Sequence, residues 1–229
     1  MEGGWHTGEM EIAGIVESYF QDIFSSALPV TEDWNEVVRT VRPSFTPDMT
    51  LVLDREFIEE EVKAAVFSLG SNKAHGPDGF HASFFQHNWK IVGREVTTMC
   101  LQVLNGGASV EEINSTFICL IPKIKSPRKV SDFRPISLCN VVYKVITKTI
   151  ANRLKLVLGD LIEENQSAFV PGRLISDNVL AAFEIMHSMR QKTIGKVGWM
   201  ALKLDMSKAY DKVEWGFIEA MMSKLGFFG

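Results

Sequence analysis

Ala201-Leu202-Lys203-Leu204-Asp205-Met206-Ser207-Lys208-Ala209-Tyr210-Asp211 is the stretch whose reading decides the fold. Behind Trp199 and Met200, the mostly apolar run reads as a short buried strand that ends at Asp205. Beyond the turn, Val213, Phe217, Met221 and Leu225 recur at helical spacing, so the unit is strand, tight turn and amphipathic helix. A rigid strand end exposes a carboxylate at the place where α/β proteins put their chemistry, although an aspartate there also serves as a helix cap.

Composition bounds what surrounds this unit. At 229 residues with 46% hydrophobic content, the chain is long enough for one large or two small domains with a real core. Its net charge of −4 offers no basic surplus, so any nucleic-acid binding rests on local Lys and Arg patches. Cys100, Cys119 and Cys139 are an odd number without paired spacing, which points to reduced thiols rather than a zinc site or a disulfide framework. No apolar run reaches membrane-span length, and Met1-Glu2-Gly3-Gly4-Trp5 lacks the basic start and apolar centre of a signal peptide, so the expected setting is intracellular, without membrane.

Upstream the chain reads as mostly helical. Ile12, Val16, Tyr19, Phe20, Ile23 and Phe24 mark one amphipathic helix ended near Pro29, and residues 31–50 read as a short helix followed by a linker with Pro43 and Pro47, giving a boundary near residue 50. Asp54 is a candidate N-cap for a helix with Glu59, Glu60 and Glu61 in its solvated first turns, Val62, Ala65, Val66 and Leu69 inside, and Gly70 at its end. Gly76-Pro77-Asp78-Gly79 is a turn, because proline presets one dihedral and glycine admits positive φ. A helix beginning at Phe84, Phe85 and Trp89 and another after Gly93 follow. His75, His81 and His87 lie six apart, which fits no helical metal pair.

Thr116 to Ile121 and Phe133 to Leu138 read as the strands of a hairpin with cations at Lys123, Arg128, Lys129 and Arg134. Val142 to Leu158 is a long amphipathic helix closed by Gly159, and a later helix buries Leu180, Phe183 and Met186. A linker over Gln191 to Gly198 then leads into the Asp205 strand.

Taken in order, Asn72-Lys73-Ala74-His75-Gly76-Pro77-Asp78-Gly79-Phe80, Ile121-Pro122-Lys123, Phe133-Arg134-Pro135-Ile136-Ser137-Leu138, Asn165-Gln166-Ser167-Ala168-Phe169-Val170-Pro171-Gly172-Arg173 and Leu204 to Asp211 closely resemble the reverse transcriptase of LINE-type (non-LTR) retrotransposons. The resemblance implies an α+β fold: the helix-rich fingers and partial palm of a right-hand polymerase, with a short β-hairpin and an incomplete palm sheet. It implies a helical connector over residues 1–50 and fingers with partial palm over 51–229. It also implies RNA-directed DNA polymerase chemistry, a phosphoryl transfer with two Mg²⁺ ions, an RNA template, a DNA primer and dNTP.

By the same resemblance Asp205 is the first catalytic carboxylate and a metal ligand, with the Met206 backbone carbonyl beside it. Tyr210 matches the aromatic residue under the incoming sugar and is also expected to pack in the core. Lys123 and Arg134 match the cations that grip the triphosphate. Gln166, Phe169 and Arg173 fall in a motif that places template and fingers.

The second acidic motif and the thumb of the family are expected beyond Gly229, and one carboxylate cannot balance two Mg²⁺ ions, so the 229-residue chain is expected to be inactive alone. Its palm strand is expected to keep an open apolar edge and to favour aggregation. The alternatives to a polymerase fragment are a non-catalytic module for RNA or an RNA–DNA hybrid and a degenerate relic without function.

Overall fold

The computed structural model describes residues 6–26, 32–191, 198–206 and 208–227. The expected helix stop at Pro29, the linker at 192–197 and Ser207 lie outside them. The architecture is helix-rich with one small sheet, as the α+β reading requires. By contacts the chain divides into a unit of Pro47–Leu156 and a unit of Met1–Thr46 with Val157–Gly229.

The first of these units holds α3 (Pro47–Asp54), α4 (Glu59–Ser68), α5 (Ala82–His87), α6 (Trp89–Leu104) and most of α7 (Val141–Leu161). Its core joins Val62, Ala65 and Val66 of α4 to Phe85 of α5, Val96 and Cys100 of α6, and Val141, Val145 and Ile146 of α7. Apart from Val141, these are the apolar positions that helical spacing selects; on α7 the expected first residue, Val142, is only partly buried. Cys100 is fully buried there, and desolvation pushes its thiol up to about 12, so it behaves as a small apolar residue.

Several expected boundaries move. The linker around Pro47 is the first turn of α3, where proline's missing N–H costs nothing, and Asp54 closes that helix instead of capping the next. At the start of α4 the Glu61 carboxylate accepts the Ile58 N–H at 3.2 Å. Gly93 does not start a helix: α6 runs through it, and the residue is small there because the Trp89 ring lies 2.7 Å from where a Cβ would stand. Gly159 likewise lies inside α7, which continues to Leu161.

The hairpin is formed by β1 (Thr116–Pro122) and β2 (Phe133–Cys139), antiparallel, with Ile121 opposite Arg134 and Pro122 opposite Phe133. Among the described residues it is the whole of the sheet structure.

The other unit contains α1 (Glu9–Phe24), α2 (Glu32–Thr40), α8 (Ile175–Gln191), α9 (Ala209–Lys212) and α10 (Trp215–Leu225). Trp34 of α2 meets Phe217 of α10 at 6.0 Å between ring centres, and the Ser44 and Phe45 N–H groups donate to the Leu225 carbonyl. Gly226 closes α10 at φ 110°, and Phe45 packs so close that a side chain there would collide with it.

Three expectations in this unit are corrected. Residues 198–206 form no strand: an extended segment becomes one only by pairing its backbone, and no described segment pairs with it. The apolar face of α8 is not buried, since Leu180, Phe183 and Met186 all stand exposed. Tyr210 is not a core residue either, being 84% exposed. Periodicity reports which face is apolar and says nothing about what covers it.

Candidate active site

Asp205 and Met206 lie on the irregular segment 198–206, and both are exposed. Three positions on, Lys208 takes a left-handed conformation at φ 56° and ψ 43° and caps α9. That turn puts Tyr210 on the first turn of α9, with its ring free on one side and edge-to-face with Phe169 at 6.3 Å on the other.

Phe169 is itself unusual. It stands at φ 66° and 81% exposed, a conformation that costs a residue with a Cβ, and it projects from a loop that is otherwise tied down. Arg173 does the tying: its guanidinium donates to the carbonyls of Gly159 (2.8 Å), Ile162 (2.8 Å), Glu163 and Gln166 (2.8 Å). These include the unpaired carbonyls at the end of α7, so Arg173 acts as a C-terminal cap with its fork fully engaged. Gln166, exposed, turns its side-chain amide to the Ala168 carbonyl at 3.1 Å. Asn178 of α8 completes the loop by donating to Asn165 O and to the buried Ser167 hydroxyl at 3.0 Å.

Lys123 and Arg134 belong to the hairpin of the other unit, and both are exposed. The ladder continues one pair past β1, because Lys123 N–H donates to Asp132 O at 2.7 Å. Side chains alternate along a strand, so Lys123 falls on the same hairpin face as Ile121 and its partner Arg134. The two cations therefore share one face. The Lys123 ammonium also donates to Ser131 O at 2.8 Å, and the Asp132 carboxylate closes the loop by accepting the Arg128 and Lys129 N–H groups. Those backbone hydrogen bonds hold the Asp132 carboxyl below its usual range.

The Gly76-Pro77-Asp78-Gly79 turn is anchored by residues that sequence spacing gives no reason to choose. Asn140, between β2 and α7, accepts the Asp78 N–H at 3.2 Å, and Lys144 donates to Ala74 O at 2.7 Å. Gly76 lies directly on the Cys139–Asn140 backbone, where an added Cβ would sit 2.4 Å from Asn140 Oδ1 and 2.5 Å from its N. We expect Gly76→Ala to lower the unfolding free energy by about 1–3 kcal/mol, the usual range for overpacking against an unyielding neighbour, as read from a denaturant melt. A melt unchanged from wild type would show that this turn is free to move.

The donor chemistry of Asp205 and the Met206 carbonyl suits a hard divalent cation. It does so only as part of a ligand set: among the described residues no three His, Cys, Asp or Glu side chains gather where they could hold a metal ion.

Residues 121–228 match the family model described as reverse transcriptase (RNA-dependent DNA polymerase). That stretch is similar to a reverse transcriptase domain. Across 210 residues the chain is also 29% identical to a Xenopus laevis protein named Transposon TX1 uncharacterized 149 kDa protein. That stretch is 92% of this chain and 16% of the relative, so the chain spans about a sixth of the length of the relative it matches. The two matches thus make the segment similar to reverse transcriptases and to a transposon protein. The family so described is that of RNA-dependent DNA polymerases. All the site residues named from sequence lie inside the segment that the family model matches. Among the described residues, no helix is long and apolar enough to cross a membrane.

Proposed function

We propose that this chain supplies the fingers and the first catalytic carboxylate of a non-LTR retrotransposon polymerase that copies an RNA template from a DNA primer using dNTPs. The observation that carries the reading is the exposed Asp205, inside the matched family segment and five residues before the exposed Tyr210. In this reading residues 1–50 are a helical connector and 51–229 are fingers and partial palm. The work is done inside the cell, in cytoplasm and nucleus.

Each residue then has a physical task. Asp205 and the Met206 carbonyl would be two of the oxygen ligands that hold Mg²⁺, and the chemistry the ion would supply there is activation of the primer hydroxyl and charge balance for the leaving pyrophosphate. Lys123, a point charge, and Arg134, a planar fork, grip the triphosphate from their shared hairpin face. Tyr210 lies under the incoming sugar and disfavours a 2′-hydroxyl. Gln166 and Phe169 set the template against the fingers, with Arg173 fixing the loop that carries them.

The test is steady-state primer extension on a primed RNA by the full-length polypeptide that carries this chain. Arg134→Ala is expected to raise the dNTP KM by about tenfold, the scale of one charge-assisted hydrogen bond, with a smaller rise for Lys123→Ala. Unchanged KM values in both variants would remove the hairpin from the nucleotide site. Since Asp205 is one ligand of several, the 229-residue chain alone is expected to give no extension with Mg²⁺, and measurable extension would contradict that assignment.

A further inference from the structure

Two non-glycine residues have positive φ among the described residues, Phe169 and Lys208, and both bear on Tyr210. Phe169 holds its ring edge-to-face, while Lys208 sets the turn from which α9 and Tyr210 start. Backbone strain of this kind persists only where surrounding contacts enforce it, and it gathers at functional sites.

What enforces Lys208 is α1. Its ammonium donates to the Tyr19 hydroxyl and stands 4.3 Å from the centre of the Tyr19 ring, so hydrogen bond and cation–π attraction act on the same charge. Tyr19 is in turn braced edge-to-face against Phe20 at 5.3 Å, and Phe20 is the buried residue of α1. The Asp211 and Lys212 N–H groups donate back to the Lys208 carbonyl at 3.0 and 3.1 Å, which passes the anchored conformation directly into α9. α1 lies wholly outside the residues matched by the family model.

We propose that Tyr19 is a positioning residue for the polymerase site: through Lys208 it fixes the start of α9 and with it Tyr210, and so sets nucleotide addition and sugar selection from the N-terminal helix. This rests on the reading of Asp205 and Tyr210 given above. It makes α1 a working part of the active site and not only a connector.

The experiment has two arms. In the full-length polypeptide, Tyr19→Ala and Lys208→Met are each expected to lower kcat for dNTP addition about five- to tenfold and to weaken dNTP-over-rNTP preference by a similar factor. The double variant should be no worse than the poorer single one, because both remove one linkage, and Lys208→Arg should restore most of the loss. In the 229-residue chain, amide hydrogen exchange at 208–213 should quicken in Tyr19→Phe, which keeps the ring and removes only the hydroxyl.

Wild-type kcat and sugar preference in both single variants, or exchange at 208–213 unchanged by Tyr19→Phe, would overturn the inference. Losses in the two variants that simply add would do the same. Asp205→Asn run in parallel separates the two layers: if that variant still extends primers, the polymerase reading has failed, whereas a dead Asp205→Asn beside unaffected Tyr19 and Lys208 variants sinks the anchor alone.

Discussion

Arg153→Met is expected to lower the unfolding free energy by about 3–5 kcal/mol, the usual consequence of removing one member of a buried ion pair. Arg153 is 3% exposed on α7, and its guanidinium reaches five acceptors and a ring. Nε and Nη2 donate to the two Glu61 oxygens at 3.0 and 2.6 Å, Nη2 also to Glu56 O at 3.1 Å, and Nη1 to Leu53 O at 3.2 Å and to Arg55 O. The Phe57 ring centre lies 3.4 Å from the guanidinium carbon. Arg55, Glu56 and Phe57, between the end of α3 and the start of α4, are thus all held by one side chain.

Methionine fills much of the space but takes from the Glu61 carboxylate its guanidinium partner, leaving it the Ile58 N–H and Arg55, and strips three carbonyls of the donor Arg153 gave them; that lost pairing sets the size of the effect. In a thermal melt it corresponds to a fall of roughly 10 °C for a chain of this size. A melting point within about two degrees of wild type would show the cluster to be solvated. The pH dependence follows the same contact. The hydrogen bond from Arg153 holds the Glu61 carboxyl below its ordinary value of 4.5, so its contribution is complete above that value and is lost as the pH falls through the lower, folded-state value. Wild type should lose this increment on acidification, and Arg153→Met should lose less, since the Ile58 N–H and the Arg55 charge still favour the Glu61 carboxylate.

Residue patterns made some of this legible and left the rest hidden for definite reasons. The hairpin reads correctly because β-rich runs bracket a basic turn, and the α4 stripe reads correctly because Val62, Ala65 and Val66 fall on one helical face. Arg153 could be placed on the α7 pattern, but its partner Glu61 is 92 positions away and looked like any solvated first-turn acid. Tyr19 and Lys208 are 189 positions apart and escape for the same reason.

Periodicity also overstated burial. Leu180, Phe183, Leu202, Leu204 and Tyr210 are apolar at regular positions and yet exposed, since a stripe is buried only where a second surface meets it. Arg173 shows the converse. Its motif points to template contact, and its geometry shows an additional task, the capping of α7, that no spacing rule encodes.

The central claim is that Asp205 carries nucleotide addition. It is tested most directly by comparing wild type with Asp205→Asn in primer extension on a primed RNA, using the full-length polypeptide with Mg²⁺ and saturating dNTP. The amide keeps the shape and removes the charge of the ligand, so kcat is expected to fall by about a thousandfold or more, several kcal/mol of lost transition-state stabilisation, while affinity for the primed template stays within about twofold. Extension by Asp205→Asn at a rate within about tenfold of wild type would contradict the account.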